Sequence, residues 1–586
     1  MEKKKKTLAP GPVFRYNEIG KIFTGWDKEK RKGGIAMKNR AWRRHLLCFA
    51  AALLALSCSL TACSAPGLET DAALPVSTSE PTLSSFVSAV EDEPDTVDFQ
   101  CTTIHYTVAT NVFDRLVEME NDGEGNVKIV PSLAKAWEVS GDGCGYTFHL
   151  RENVKFSNGS PLTASDVLYT FTRLLTHPDS CNRDIADPIL GAEELEKGES
   201  DRLEGFKLLS DLDFTITLRQ PFEAFLACLS MPGASILDEE TTVEAGDRFG
   251  LDPACTIGTG PFILWQWEPG EGMKLRANHD CWSGAPRCEG VNLLFMTEPE
   301  DIRAAFEKGE MDILDLDEVG NAAEFYFHGD IYQDRLYAVQ RIGITYIALN
   351  ASVEPLNDAR VRKALQLSLN RTMLLDAVYS GRGVLENGIF PHGLYGYNPE
   401  LPDIPCDPDA AKALLSEAGY ENGFDLKVSV KSSSTQWEMI LMEMAVEMWK
   451  KIGVRAEIDL VDEAEFMRLR KSGQLSCYTA LWTADFNDPD NFIYTFFGDR
   501  ENARFRSLCY PNEEIMERVR RARAISDPER RVAEYRELEK IIVQDDAAWI
   551  PLFSRLHYYV TAERLEGFRT SWNGSVKNNF RYFSVK

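Results

Sequence analysis

Polar and apolar positions trade places along this chain with two different periods. Tyr146-Thr147-Phe148-His149-Leu150 alternates residue by residue, as a strand with one buried face does, and follows a Gly141-Asp142-Gly143 turn. A second turn at Asn158-Gly159 precedes a helix that starts at Ala164, with Thr163 placed to cap it. Residues 358–377 carry Val361, Ala364, Leu365, Leu367, Leu369 and Leu374 at helical spacing, with Asn357 and Asp358 as caps. A methionine-rich helix is predicted over 437–452, its Met439, Met442, Met444 and Met448 filling core. A strand over 454–461, a helix over 464–471 and a strand over 475–482 follow, then an amphipathic helix over 526–546 and a buried strand over 549–553. This alternation indicates an α/β protein, and no internal repeat interrupts it.

One apolar run has neither period. Residues 46–60 follow Arg43 and Arg44 and end in Leu60-Thr61-Ala62-Cys63. A positive flank, a short apolar core and small residues describe a secretory signal peptide. Its 15 residues fall short of a membrane span, which needs about 20. Cys63 after Leu-Thr-Ala resembles the bacterial lipobox, in which that thiol receives a diacylglyceryl group and becomes residue one. The resemblance implies a chain lipid-anchored on the extracytoplasmic face of the membrane; the alternative is an ordinary leader with Cys63 a chance thiol, like Cys48 and Cys58. Residues 37–62 read as the leader, with Met37 as the translation start, and 1–36 as an upstream extension unlike any n-region. Residues 63–84, rich in Ser, Thr, Pro and Ala, read as a flexible tether.

About 520 residues remain beyond the leader, too many for one core. The first 62 residues are net +10, so the rest is −37 against −27 for the whole chain. That charge argues against nucleic acid, whose phosphates need a basic surface. Ten cysteines in the mature part make no disulfide scaffold. Cys281 and Cys288, separated by six residues, either close a small loop or stand as unbonded thiols. There is no CxxC or HExxH, so neither a metal site nor a cofactor is expected. G-x-S-x-G, P-loop and Rossmann fingerprints are missing too, which argues against an enzyme.

Four blocks carry a resemblance. The first is Asn111-Val112-Phe113-Asp114-Arg115-Leu116-Val117, continued by Val130-Pro131-Ser132-Leu133-Ala134 and by Leu162-Thr163-Ala164-Ser165-Asp166-Val167. The second is Gly258-Thr259-Gly260-Pro261-Phe262, with Trp282-Ser283-Gly284 downstream. The third runs from Asp358-Ala359-Arg360-Val361-Arg362 to Asn370-Arg371. The fourth is Trp482-Thr483-Ala484-Asp485-Phe486-Asn487-Asp488-Pro489-Asp490-Asn491. In this order and spacing the chain resembles the family 5 extracellular solute-binding proteins, the dipeptide- and oligopeptide-binding group of ABC importers.

The resemblance implies a two-lobed periplasmic-binding-protein-like fold (type II, cluster C-like), closing on a ligand by hinge motion. It places lobe I at 85–343 with an extra subdomain at about 118–250, lobe II at 344–544, and a C-terminal return to lobe I at 545–586. It further implies a monomer that passes short peptides to ABC permease subunits and touches the membrane only through its anchor.

A binder of varied peptides must rely on what recurs, the backbone and the two charged ends. Asp485 matches the family aspartate that pairs with the ligand α-ammonium, and it follows the predicted strand at its C-terminal end, where α/β sheets place ligands. Trp482 is expected in the cleft wall, with Thr483 and Ala484 offering backbone groups, while Asp488, Pro489 and Asp490 shape the loop. The chain departs from the pattern at Glu463, where an aromatic is usual, and at Thr479, where some members carry arginine. Lys431 lies near the position from which a dipeptide binder holds the ligand carboxylate, and Glu463 with the acidic balance favours a cationic peptide. The alternative within the superfamily is a nickel chelate, an oligosaccharide or another small solute.

Overall fold

The alternation at 146–150 is realised as the strand Gly145–Leu150, with Tyr146, Phe148 and Leu150 buried. The helix Ala164–Thr176 opens on a capping box in which the Asp166 carboxylate accepts the Thr163 N–H at 2.8 Å. These elements belong to a computed structural model that describes residues 85–90, 92–121, 127–434, 436–575 and 580–586. Cys63, the leader, the tether and the upstream extension lie outside the described residues.

Residues 358–377, expected as one helix, form two: Ala359–Leu367 and Arg371–Tyr379. The apolar spacing runs across the break, but the Asn370 side chain accepts the Met373 N–H at 2.9 Å and caps a new helix. Asp358, rather than Asn357, caps the first. The methionine-rich helix is Gln436–Lys450; Met442 and Met448 are buried, with Met439 and Met444 packed against the same core. The last long helix, Pro528–Lys540, is shorter than its periodicity predicts and gives way to a wider turn, Ile541–Asp545.

Ten strands make the principal sheet: β1 (Ser85–Val90), β2 (Phe262–Glu268), β3 (Gly272–Ala277), β4 (Gly290–Phe295), β5 (Ile313–Asp315), β6 (Leu336–Gln340), β7 (Gly343–Leu349), β8 (Gly383–Leu385), β9 (Cys477–Thr483) and β10 (Trp549–Thr561). Their order is β9-β7-β10-β5-β1-β4-β3-β2, with β6 and β8 also paired to β10. β10 was expected to stop at Phe553, yet it runs 13 residues. Its first half pairs with β7 and β8, its second with β6 and β5. One strand therefore crosses between two bodies.

The cores follow that division. One cluster runs from Ile342 to Phe553 around Trp449, Tyr478 and Trp549. A second gathers residues 116–236, and a third joins Phe86, Phe113 and Val291 to Tyr559, Phe580 and Phe583 from the C-terminal segment. At the Gly258-Thr259-Gly260 motif a Cβ added to Gly258 would lie 2.1 Å from the Val112 carbonyl oxygen, so the glycine permits backbone contact. Thr259 Oγ1 and Trp282 Nε1 both donate to Asp114, at 2.8 and 2.7 Å, which ties two sequence motifs to one carboxylate. Cys281 and Cys288 are both buried free thiols.

One buried acid sets a pH dependence of stability. Glu539 is 1% exposed, and one carboxyl oxygen accepts the N–H groups of Ile389 and Phe390 at 2.7 and 2.8 Å. Burial outweighs those bonds and pushes its pKa up to about 8 from 4.5. The folded state then holds a proton that the unfolded chain releases, so stability falls as pH rises from about 4.5 to 8, by up to about 5 kcal/mol. Glu539→Gln keeps the acceptor and removes the titration. Its melting temperature is expected to fall less than that of the wild type between pH 5 and pH 8 in a thermal unfolding series.

Candidate functional site

β9 delivers the site. Its last residue, Thr483, pairs with Gly343 of β7, and the chain then leaves the sheet. Ala484 is 2% exposed and its N–H donates to the Ile342 carbonyl at 2.8 Å. The expectation that Ala484 offers this N–H to a ligand is therefore corrected: the sheet edge has already taken it. Thr483 is half-buried at the same edge.

Asp485 comes next, and Asn491 fixes it twice. The Asn491 Nδ2 donates to the Asp485 carboxylate, and the Asp485 N–H donates to the Asn491 Oδ1, each at 3.0 Å. Asn491 is itself buried near the start of the helix Asp490–Phe497. The Asp485 side chain is open to solvent, yet desolvation by the surrounding protein pushes its carboxyl up to about 6. Asp184 raises this carboxyl further, while the Asn491 hydrogen bond and Arg506 oppose the rise. Tyr106 also feels the Asp485 charge; its hydroxyl, pushed up mainly by burial, donates to the Thr102 carbonyl at 2.8 Å. Tyr106 and Asp184 come from the first half of the chain, so two bodies face each other here.

Trp482, expected in the cleft wall, is half-buried, its ring 5.3 Å from Phe496 and under the Arg506 guanidinium at 4.7 Å. Phe486 and Asn487 reach across to the first body: Phe486 is buried in the 116–236 core, and the Asn487 N–H lies 3.5 Å from the Met119 sulfur. Asp488 forms a bidentate pair with Arg531 at 2.6 and 2.7 Å. Asp490 pairs with Arg523, whose guanidinium also stacks on Phe222 of the first body at 4.2 Å. These carboxylates shape the loop and leave Asp485 to face the cleft. Lys431 and Glu463 pair with each other at 3.8 Å, and Ser433 Oγ donates to Glu463 at 2.8 Å. The structure thus gives Lys431 a carboxylate of its own chain and gives Glu463 a cation, which weakens both as ligand groups.

Among the described residues, Asp315, Asp317 and His557 bring metal-ligand atoms within 4.8 Å of one another. Arg555 already stands 3.4 Å from Asp317, so the cluster is charge-paired within the protein at the crossing strand. No helix among the described residues is long and apolar enough to cross a membrane.

Two bodies sharing a crossing strand, with a desolvated carboxylate between them, define a two-lobed solute-binding protein. The profile of the bacterial extracellular solute-binding proteins, family 5 (middle region) matches residues 128–504, and the chain belongs to that family. It is a transport binding protein of the extracytoplasmic space and not an enzyme. The dipeptide-binding protein of Escherichia coli K12 is 30% identical over 510 residues, which cover 83% of this chain and 91% of that one. Heme-binding protein A of Haemophilus influenzae is 28% identical over 481 residues, 80% of this chain and 86% of its own. In fold, the chain is similar to the dipeptide-binding protein of Pseudoalteromonas sp. SM9913 in complex with Met-Leu, at a TM-score of 0.70 and 22% identity, covering 86% of this chain and all of that one.

Proposed function

We propose that this protein captures short peptides outside the cytoplasmic membrane and hands them to an ABC permease, with Asp485 receiving the peptide α-ammonium. The observation that carries the reading is the Asp485 carboxylate: fixed by Asn491, raised to about 6 by desolvation, and with no cation within 4.0 Å among the described residues. A cationic end of a guest supplies the missing counter-charge, whereas a neutral sugar leaves a desolvated carboxylate uncompensated. The name of one relative, the dipeptide-binding protein, agrees with this choice. Closure of lobe II (344–544) onto lobe I (85–343 with 545–586) is the proposed capture step. Lipidation at Cys63, with 63–84 as the tether, keeps the loaded protein near its permease. Mass spectrometry of solutes co-purified with the protein is expected to recover a mixed set of short peptides; recovery of a single non-peptide solute contradicts the reading.

The proposal has a pH signature. Pairing with an ammonium needs the ionised carboxylate, and in the free protein that group titrates at about 6. Affinity for a neutral-side-chain peptide is expected to peak at about pH 7, to fall toward tenfold per pH unit below about 6 as Asp485 is protonated, and to fall again above about pH 8 as the peptide ammonium loses its proton. Binding near pH 6 should release protons, visible as a buffer-dependent heat. Asp485→Asn should bind weakly with no such slope.

A further inference from the structure

Two free cysteines sit on neighbouring segments of the first body, close to the cleft. The Cys181 N–H donates to the Gln100 carbonyl at 2.8 Å, and the Cys181 Sγ lies 3.6 Å from the Cys101 carbonyl oxygen. A backbone hydrogen bond to the residue just before Cys101 holds the two Cα atoms within roughly 7 Å of each other, inside the reach of a disulfide. Asn182 doubles the clasp. Its Nδ2 donates to the Phe99 and Thr102 carbonyls at 2.9 and 2.8 Å, and its Oδ1 accepts the Tyr106 hydroxyl at 3.3 Å. The two segments are therefore brought together by bonds that do not use the sulfurs. The protein works outside the cytoplasm, where thiols so placed meet oxidants rather than reductants.

The two thiols differ as the partners in a thiol–disulfide exchange must. Cys181 is exposed, whereas Cys101 is half-buried. The Cys101 Sγ stands 3.3 Å from an Asp98 carboxylate oxygen and 3.4 Å from the His177 Nδ1. Burial, with Asp98 adding to it, pushes the Cys101 thiol up to about 12, so it does not start an exchange by itself. Asp98 is already paired with Arg173 at 2.5 Å. The His177 Nδ1 accepts the Asp179 N–H at 3.3 Å and so carries no proton of its own, which leaves it able to take one from Cys101.

We propose that Cys101 and Cys181 are a redox pair that closes to a disulfide on the first-body wall of the cleft. The oxidant is an organic disulfide. The Cys181 thiolate attacks one of its sulfurs and releases the other as a thiol. The Cys101 sulfur then attacks the Cys181 sulfur of this mixed disulfide, gives its proton to the His177 Nδ1, and expels the second thiol, which takes that proton up. Two cysteines are oxidised, and one disulfide is reduced to two thiols. Tyr106 and Asp184, which act on Asp485 electrostatically, stand five and three residues from the two cysteines, so the bond staples the wall that faces that carboxylate. None of this depends on the solute being a peptide.

The test treats the reduced intact chain with oxidised glutathione, quenches by alkylation and maps peptides without reduction. Cleavage at Glu, Arg and Lys leaves Cys101 and Cys181 in peptides that hold no other cysteine. A linked Cys101–Cys181 peptide is expected in the wild type. Cys101→Ser should stop at glutathione on Cys181, and Cys181→Ser should leave Cys101 to the alkylating agent. Oxidation should raise the melting temperature of the wild type and of neither variant. His177→Ala should close roughly tenfold or more slowly, with the Cys181 mixed disulfide accumulating. Glutathione persisting on Cys181 in the wild type as it does in Cys101→Ser, or both cysteines remaining open to alkylation, overturns the pair. Closure of His177→Ala at the wild-type rate overturns the proton route through that side chain.

Discussion

Asp485→Ala is expected to lower peptide affinity by about 2–5 kcal/mol, roughly 30- to 5,000-fold, while leaving the melting temperature of the ligand-free protein unchanged or slightly higher. The two halves of this result belong together. The carboxylate is desolvated and titrates at about 6, so its ionised form is a burden on the free fold near neutral pH. The hydrogen bond it accepts from the Asn491 side chain does not cancel that burden. A guest ammonium does, and its removal from the pair leaves a positive charge enclosed without a partner. Asp485→Asn separates charge from shape, since it keeps the side-chain volume and still offers an oxygen to Asn491. Calorimetry and thermal unfolding on the same preparations read both halves. A substitution that unfolds the protein, or one that leaves affinity intact, contradicts the assignment.

The second large effect lies three residues further on. Asp488→Ala strands Arg531, whose side chain is 2% exposed and whose fork holds both Asp488 oxygens. Breaking such a buried pair costs about 3–5 kcal/mol. Thermal unfolding should therefore show a midpoint several degrees lower. Peptide binding should weaken as well, because the same loop positions Asp485 and Asn491. Replacing both partners with apolar residues of similar volume, Asp488→Leu with Arg531→Met, should return much of the stability, since no lone charge remains. The single variant being no less stable than the double one would show that the pair is not what holds the loop.

What could be read from the sequence was whatever local chemistry decides. The strand at 145–150 and the box at Thr163 and Asp166 follow from neighbouring residues alone. Asp485 stood out as a candidate because it sits in a contiguous motif, and Asn491 lay in the same block, six residues on, without its clasp being apparent. Other features depend on tertiary contacts. The break at Asn370 is hidden under a continuous apolar period, and the second half of β10 reads as polar because Arg555 and His557 bind partners at the crossing. Ala484 lost its N–H to Ile342, a residue more than a hundred positions earlier. Tyr106, Asp184 and Arg506 carry no local signal at all; they meet Asp485 only because the chain returns to one cleft from both lobes.

The central claim is that a guest ammonium pairs with Asp485, and the most direct measurement is calorimetric comparison of one peptide with its N-acetylated form on the unmodified protein at pH 7.5. The account predicts that acetylation, which removes the positive charge and changes little else at the far end, lowers affinity at least as much as Asp485→Asn does, with no further loss when the two are combined. Equal affinity for the free and acetylated peptides would contradict it.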